Sequence, residues 1–206
     1  EAIWLAIASL DLAVDGDRPS LSARRDRLAM LYLEQFPTTE RAARLLIRRA
    51  SDGLVTDARA AEILLGVSPD SPLYGTARRY AARLLYRAWR SAGANERPRA
   101  ARAFMDITNE LLLIDQSAME VGTDEEWSRI AAEMLLRERQ VLDVLLSTSD
   151  PDVERARRAI ANVEMAAGGV ERLGDIAGEL AYRRLQIAVA LNDEPGFARA
   201  TDELAL

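Results

Sequence analysis

The chain has 206 residues, with 27 basic and 33 acidic side chains and a formal net charge of −6. Every basic residue is arginine; lysine, histidine and cysteine are absent. Within these residues that excludes a Ser-His-Asp triad, a thiolate nucleophile, a disulfide framework and the usual zinc sites.

With 49% hydrophobic and 29% charged residues the composition is that of a globular chain, not a disordered one. A chain of this size buries roughly 70% of the surface its unfolded form exposes, enough for a real core. No uninterrupted apolar run approaches the ~20 residues of a membrane helix, and no basic-then-apolar leader opens the chain. Glu1-Ala2-Ile3-Trp4 is already in helical phase and Thr201-Asp202-Glu203-Leu204-Ala205-Leu206 is still amphipathic, so the sequence reads as a piece of a longer protein. Arginine to the exclusion of lysine points to a GC-rich, bacterial genome. Nothing here fixes a compartment.

Apolar residues recur at spacings of three and four almost throughout, the helical signature, and no stretch keeps strand alternation. A first helix is expected over 1–14, stopped by Asp15-Gly16-Asp17. A second runs from Leu21 to Gln35, ahead of Phe36-Pro37. A third starts near Thr39 and ends around Ser51-Asp52-Gly53. A short fourth spans Asp57 to Leu65 and closes on Gly66. Ser71-Pro72 reads as an N-cap followed by proline at the first helical position, opening a helix to Ser91. The next begins at Glu96-Arg97-Pro98 and reaches Val121. Thr123 and Glu126 fit a capping box for a helix whose inner side carries Trp127, Ile130, Met134, Val141 and Leu145. Asp150-Pro151 is expected to cap a helix with Val153, Ala156, Ile160 and Val163 inside, ended by Gly168-Gly169. Two last helices cover Val170–Leu191 and Glu194–Leu206. The expectation is an all-α chain of about ten helices. Short loops between amphipathic helices favour antiparallel hairpins, and the lack of a long linker favours one domain over residues 1–206.

In the last hairpin Ile187, Ala188 and Leu191 on one helix are followed by Phe197 at the turn and by Ala200 and Leu204 on the next. This pattern resembles a tetratricopeptide unit, with Arg184 standing where the family usually has Trp. Pro37-Thr38-Thr39 and Pro69-Asp70-Ser71, 32 residues apart, resemble repeat junctions of that family, whose period is about 34. The helices over 96–121 and 123–148 are longer than the family's. The resemblance implies a right-handed stack of hairpins, an α-solenoid, whose groove binds a peptide or protein. The alternative is an irregular helical bundle.

Charge is distributed unevenly. Residues 1–102 carry 17 Arg against 12 acids, for +5; residues 103–206 carry 10 Arg against 21 acids, for −11. The densest basic stretch, Arg78 to Arg102, has eight arginines and one acid, Glu96. Arg79, Arg83, Arg87 and Arg90 follow at steps of four, four and three and share one helix face. Ala77, Tyr80, Ala81, Leu84 and Ala88 form the opposite, apolar stripe. Either the four arginines are a solvated face paired with acids such as Glu96, Asp106 or Glu110, or they form a binding stripe for a carboxylate-rich partner, which guanidinium forks suit. Nucleic acid is disfavoured by the acidic chain and the lack of a known motif.

Paired acids, Asp124-Glu125-Glu126 above all, are the only catalytic groups left, and at a helix start they serve the macrodipole. No phosphate loop or EF-hand spacing occurs. The sequence therefore points to no enzyme, metal or cofactor, but to a scaffold module with a protein or peptide partner, Arg79, Arg83, Arg87 and Arg90 being the candidate contacts. Two alternatives stand beside it. One is head-to-tail self-association of the basic half on the acidic half. The other is a positioning arm for an active site elsewhere.

Overall fold

The computed structural model describes residues 1–13, 19–49, 53–148, 151–169 and 173–205. Among them the chain forms ten α-helices and no strand: α1 (Ala2–Ala13), α2 (Pro19–Gln35), α3 (Glu40–Arg48), α4 (Asp57–Leu65), α5 (Tyr74–Ser91), α6 (Arg97–Val121), α7 (Asp124–Leu145), α8 (Val153–Gly169), α9 (Leu173–Leu191) and α10 (Glu194–Leu204). They gather into two compact units, Glu1–Ile107 and Thr108–Leu206, with the boundary inside α6. No helix among the described residues is long and apolar enough to cross a membrane.

In the first unit consecutive helices run antiparallel, as the cross-contacts show. Trp4 of α1 meets Tyr32 of α2 with ring centroids 5.7 Å apart, while Asp11 meets Arg25 at 3.5 Å. As the residue number climbs along α1 it falls along α2. Between α4 and α5, Asp57 pairs with Arg87 and the Leu65 carbonyl accepts from Arg78 at 2.8 Å, again in opposite order. Skipping one helix restores the direction: Glu1 and Asp11 of α1 pair with Arg41 and Arg48 of α3. The core is Ile7, Tyr32, Leu33, Leu45, Leu46, Ile63, Leu64 and Leu84, with Ala42, Ala43, Ala61, Ala77 and Ala81 buried where helices approach closely. Each fully buried Leu or Ile contributes roughly 1.5–3 kcal/mol.

The second unit follows the same rule. Glu138 near the end of α7 meets Asn162 in the second half of α8, and Arg184 of α9 meets Glu203 of α10. The parallel pair is α7 and α9, joined by Arg139–Glu179 and Asp143–Arg183. The offset in these pairs, and in Glu1–Arg41, is 40 residues, longer than the tetratricopeptide period of about 34. Leu111, Ile130, Met134, Leu142 and Val163 fill this core.

Helix starts are set by side-chain caps. Thr39 accepts from the Ala42 N–H and Thr56 from the Arg59 N–H. Thr123 and Glu126 form the expected capping box. Two starts differ from the sequence reading. Ser71 does not cap α5: its hydroxyl accepts from the Leu73 N–H and its carbonyl from the Tyr74 N–H, closing a tight turn of its own, and α5 begins at Tyr74 without a side-chain cap. At α8 it is Asp152 that accepts from the Arg155 N–H at 3.0 Å; Asp150 lies outside the described residues. So do Asp15-Gly16-Asp17, Ser51-Asp52, Val170 and Leu206.

In the C-terminal hairpin Ile187, Ala188 and Ala200 are buried, whereas Leu191, Phe197 and Leu204 are 44%, 47% and 42% exposed. Asn192, at φ 52°, ends α9 in the left-handed region, and the Asp193 N–H returns to the Ala188 carbonyl at 2.9 Å. Asp193 then caps α10 through the Gly196 N–H at 3.0 Å. A Cβ at Gly196 would stand 2.3 Å from that carboxylate, so the close approach requires glycine.

Candidate functional site

The structure places the four arginines singled out by spacing on α5, in unequal surroundings. Arg87 forks onto Asp57 of α4, with Nε 3.0 Å from Oδ2 and Nη2 2.7 Å from Oδ1. Arg79 is half-buried and donates to the Gly75 carbonyl at 3.3 Å. Arg83, also half-buried, lies over the Tyr80 ring at 5.4 Å. Arg90 is exposed. On the other side Ala77, Ala81 and Leu84 are buried, and Tyr80 and Ala88 are half-buried. The stripe exists, and one of its charges is already engaged by an acid that the sequence did not single out. Trp89 is buried and stacks with Tyr86, which also meets Phe104, so these aromatic rings serve packing.

A second site lies wholly in the second unit. The face of α6 that carries Thr108, Asn109, Leu112 and Gln116, the Glu138–Val141 turn of α7, and Asp152, Arg155, Arg158, Ala159, Ala161 and Asn162 around α8 enclose a cleft of about 510 Å³. This lies in the size range of ligand sites, roughly 300–1,000 Å³. Thr108, Val141 and Ala159 are buried at its base, while Asn109, Gln116, Asp152 and Arg158 are exposed at its rim. Arg155 donates across to the Asn109 Oδ1, tying α8 to α6.

Glu138 is the chemically unusual member. It is 4% exposed, and its Oε2 accepts from the Asn162 Nδ2 at 3.1 Å. Its Oε1 has only the Arg137 Nε, at 3.7 Å, which is beyond hydrogen-bonding distance. Arg137 is itself committed to Asp115 of α6 at 2.8 Å, a carboxylate of 0% exposure. Two buried carboxylates therefore share one buried guanidinium. The Arg137 Nε and Nη2 are buried without a hydrogen-bond acceptor. Burial pushes the Glu138 carboxyl above its usual value of 4.5, outweighing the Asn162 hydrogen bond and the positive charges of Arg137 and Arg155. Among the described residues no group of three or more His, Cys, Asp or Glu is arranged to hold a metal ion.

The sequence reading passed over this cleft, although one signal was present. The inner stripe of α7 steps from Met134 to Val141, a gap of seven. Glu138 fills the missing inward position, four after Met134 and three before Val141. A charged residue on a buried stripe is the mark of a paired or functional group.

Compared with protein-family models, with curated proteins and with solved structures, the chain gives no match.

Proposed function

We propose that the chain is a non-catalytic protein-interaction module built from tetratricopeptide-like hairpins, and that it holds a peptide segment of its partner in the cleft between α6, α7 and α8. The observation that carries this is the lining of the cleft. Asn109, Gln116 and Asn162 present carboxamides around an apolar base of Leu112, Val141 and Ala159. A carboxamide both donates and accepts, as an extended peptide backbone does. The Asn109 oxygen is occupied by Arg155, which leaves its NH₂ to donate. The Asn162 NH₂ is occupied by Glu138, which leaves its oxygen to accept.

A second reading is favoured by Arg90, which is exposed on the same face as Arg79, Arg83 and Arg87: a carboxylate-rich partner lies along α5.

The test is selection of a random dodecapeptide display library on three proteins: the native chain, Ala161→Trp, and a chain with Glu at Arg79, Arg83, Arg87 and Arg90. Ala161 is exposed on the cleft lining, so Trp obstructs the cleft without entering the core. Peptides enriched on the native chain and lost with Ala161→Trp support the cleft. Acidic peptides lost only with the fourfold variant move the site to α5. No enrichment overturns both.

A further inference from the structure

We infer that Glu138 is the specificity determinant of the cleft and that it receives the ammonium of a lysine side chain from the bound peptide; this rests on the cleft being the peptide site. Three observations converge. The Asp115–Arg137–Glu138 cluster holds two carboxylates against one guanidinium, and that guanidinium is spent on Asp115. The buried cluster is thus one positive charge short, and the open oxygen belongs to the member that lines the cleft. Buried carboxylates that persist are ordinarily paired.

The shape of the vacancy selects the cation. The Glu138 Oε2 already accepts from Asn162, so only Oε1 is open. A guanidinium fork binds a carboxylate through both oxygens, whereas an ammonium is a point charge that needs one. Lysine therefore fits better than arginine. The approach to Oε1 is lined by Leu112, Val141 and Ala159, which suit the four methylenes of a lysine stem, while its charged end alone requires a polar partner.

Arg155 and Arg158 line the same cleft and do not fill this role. The guanidinium of Arg155 is tied to Asn109 across the cleft, and no ion pair joins it to Glu138 among the described residues. Arg158 is exposed at the rim, where it would meet carbonyl or carboxylate groups of the peptide on either side of the lysine.

Peptides enriched on the native chain are resynthesised with their lysine kept or replaced by arginine, glutamine or norleucine. Binding to the native chain and to Glu138→Gln is then measured by calorimetry. Glutamine keeps the acceptor for Asn162, and circular dichroism checks that the variant is as helical as the parent. The expected result is a shared lysine whose replacement by norleucine or glutamine weakens binding at least tenfold, by arginine less, with the preference abolished in Glu138→Gln. Cleft-bound peptides without a shared lysine, or a lysine preference that survives Glu138→Gln, overturn this inference and leave the peptide cleft standing. Peptides indifferent to Ala161→Trp overturn the cleft itself, and the inference with it.

Discussion

Arg137→Met is the most telling single perturbation of the second unit. Arg137 is 5% exposed and Asp115 is 0% exposed, and the ion pair between them, at 2.8 Å, joins α6 to α7. Met has a similar length and fills most of the space of the arginine stem, so the loss is dominated by charge. It strips a fully buried carboxylate of its guanidinium and leaves it close to a second one, Glu138. Breaking a buried pair from one side costs about 3–5 kcal/mol. Domains are stable by only about 5–15 kcal/mol in total. Urea unfolding followed by circular dichroism reads the effect. With a slope of roughly 2 kcal/mol per molar, the midpoint falls by about 2 M. Arg139→Met is the control, since Arg139 is 41% exposed in its pair with Glu179 and half-exposed pairs contribute about 0–1 kcal/mol. The double variant Asp115→Leu/Arg137→Met removes both charges, and is expected to recover at least half of the loss because apolar replacement of a buried pair is often neutral. An Arg137→Met cost below about 1 kcal/mol, or a double variant as weak as the single, would refute the reasoning.

Four further outcomes are expected. The folded chain binds the Glu138 proton more tightly than the unfolded chain does, so this group favours folding below about pH 4.5 and loses that contribution as pH rises through its elevated value; Glu138→Gln should therefore be the more stable protein at pH 7.5, by about 1 kcal/mol, with the gap narrowing toward pH 5 in urea melts. At Asp26 burial raises the carboxyl, but Arg49 and Arg25 outweigh it and hold it below 3.8. Its contribution is thus present above that value and lost as pH falls through the lowered one; Asp26→Asn should flatten the acid limb of a stability–pH curve, and an unchanged limb counts against the pair. Gly196→Ala should cost about 1 kcal/mol in thermal melts, because the new Cβ displaces the Asp193 cap; no loss would show the cap to be idle. Light scattering should return one mass at all concentrations in low salt, whereas a mass that grows with concentration and shrinks with salt would favour head-to-tail assembly.

Helices were legible wherever a local signal set them. Thr39, Thr123 with Glu126, and Gly66 each act within one turn of chain, and the structure uses all three as read. Ser71 failed for a local reason: its side chain found the Leu73 N–H, and a serine before proline serves a turn as readily as a helix. The α5 arginine stripe was legible as spacing, but its meeting with Asp57 depends on α4 pairing with α5, 30 residues apart in sequence. The cleft was the least legible feature. Glu138 broke the apolar stripe of α7, yet nothing local brings it to Asn162, 24 residues on, or sets Asp115 behind it.

The two bridges between α7 and α9 have opposite polarity. Arg139 of α7 faces Glu179 of α9, and one turn later Asp143 of α7 faces Arg183 of α9. Slide either helix by one turn and the pattern inverts: Arg139 confronts Arg183, or Asp143 confronts Glu179. Such partly exposed pairs add little to stability in the correct alignment, but the slipped alignments are penalised by repulsion. Two helices packed through small and aliphatic side chains could otherwise settle a turn out of step. The crossed charges act as a key that admits one vertical position, and exchanging Arg139 with Glu179 alone would turn that key against the native alignment while leaving the composition of the chain unchanged.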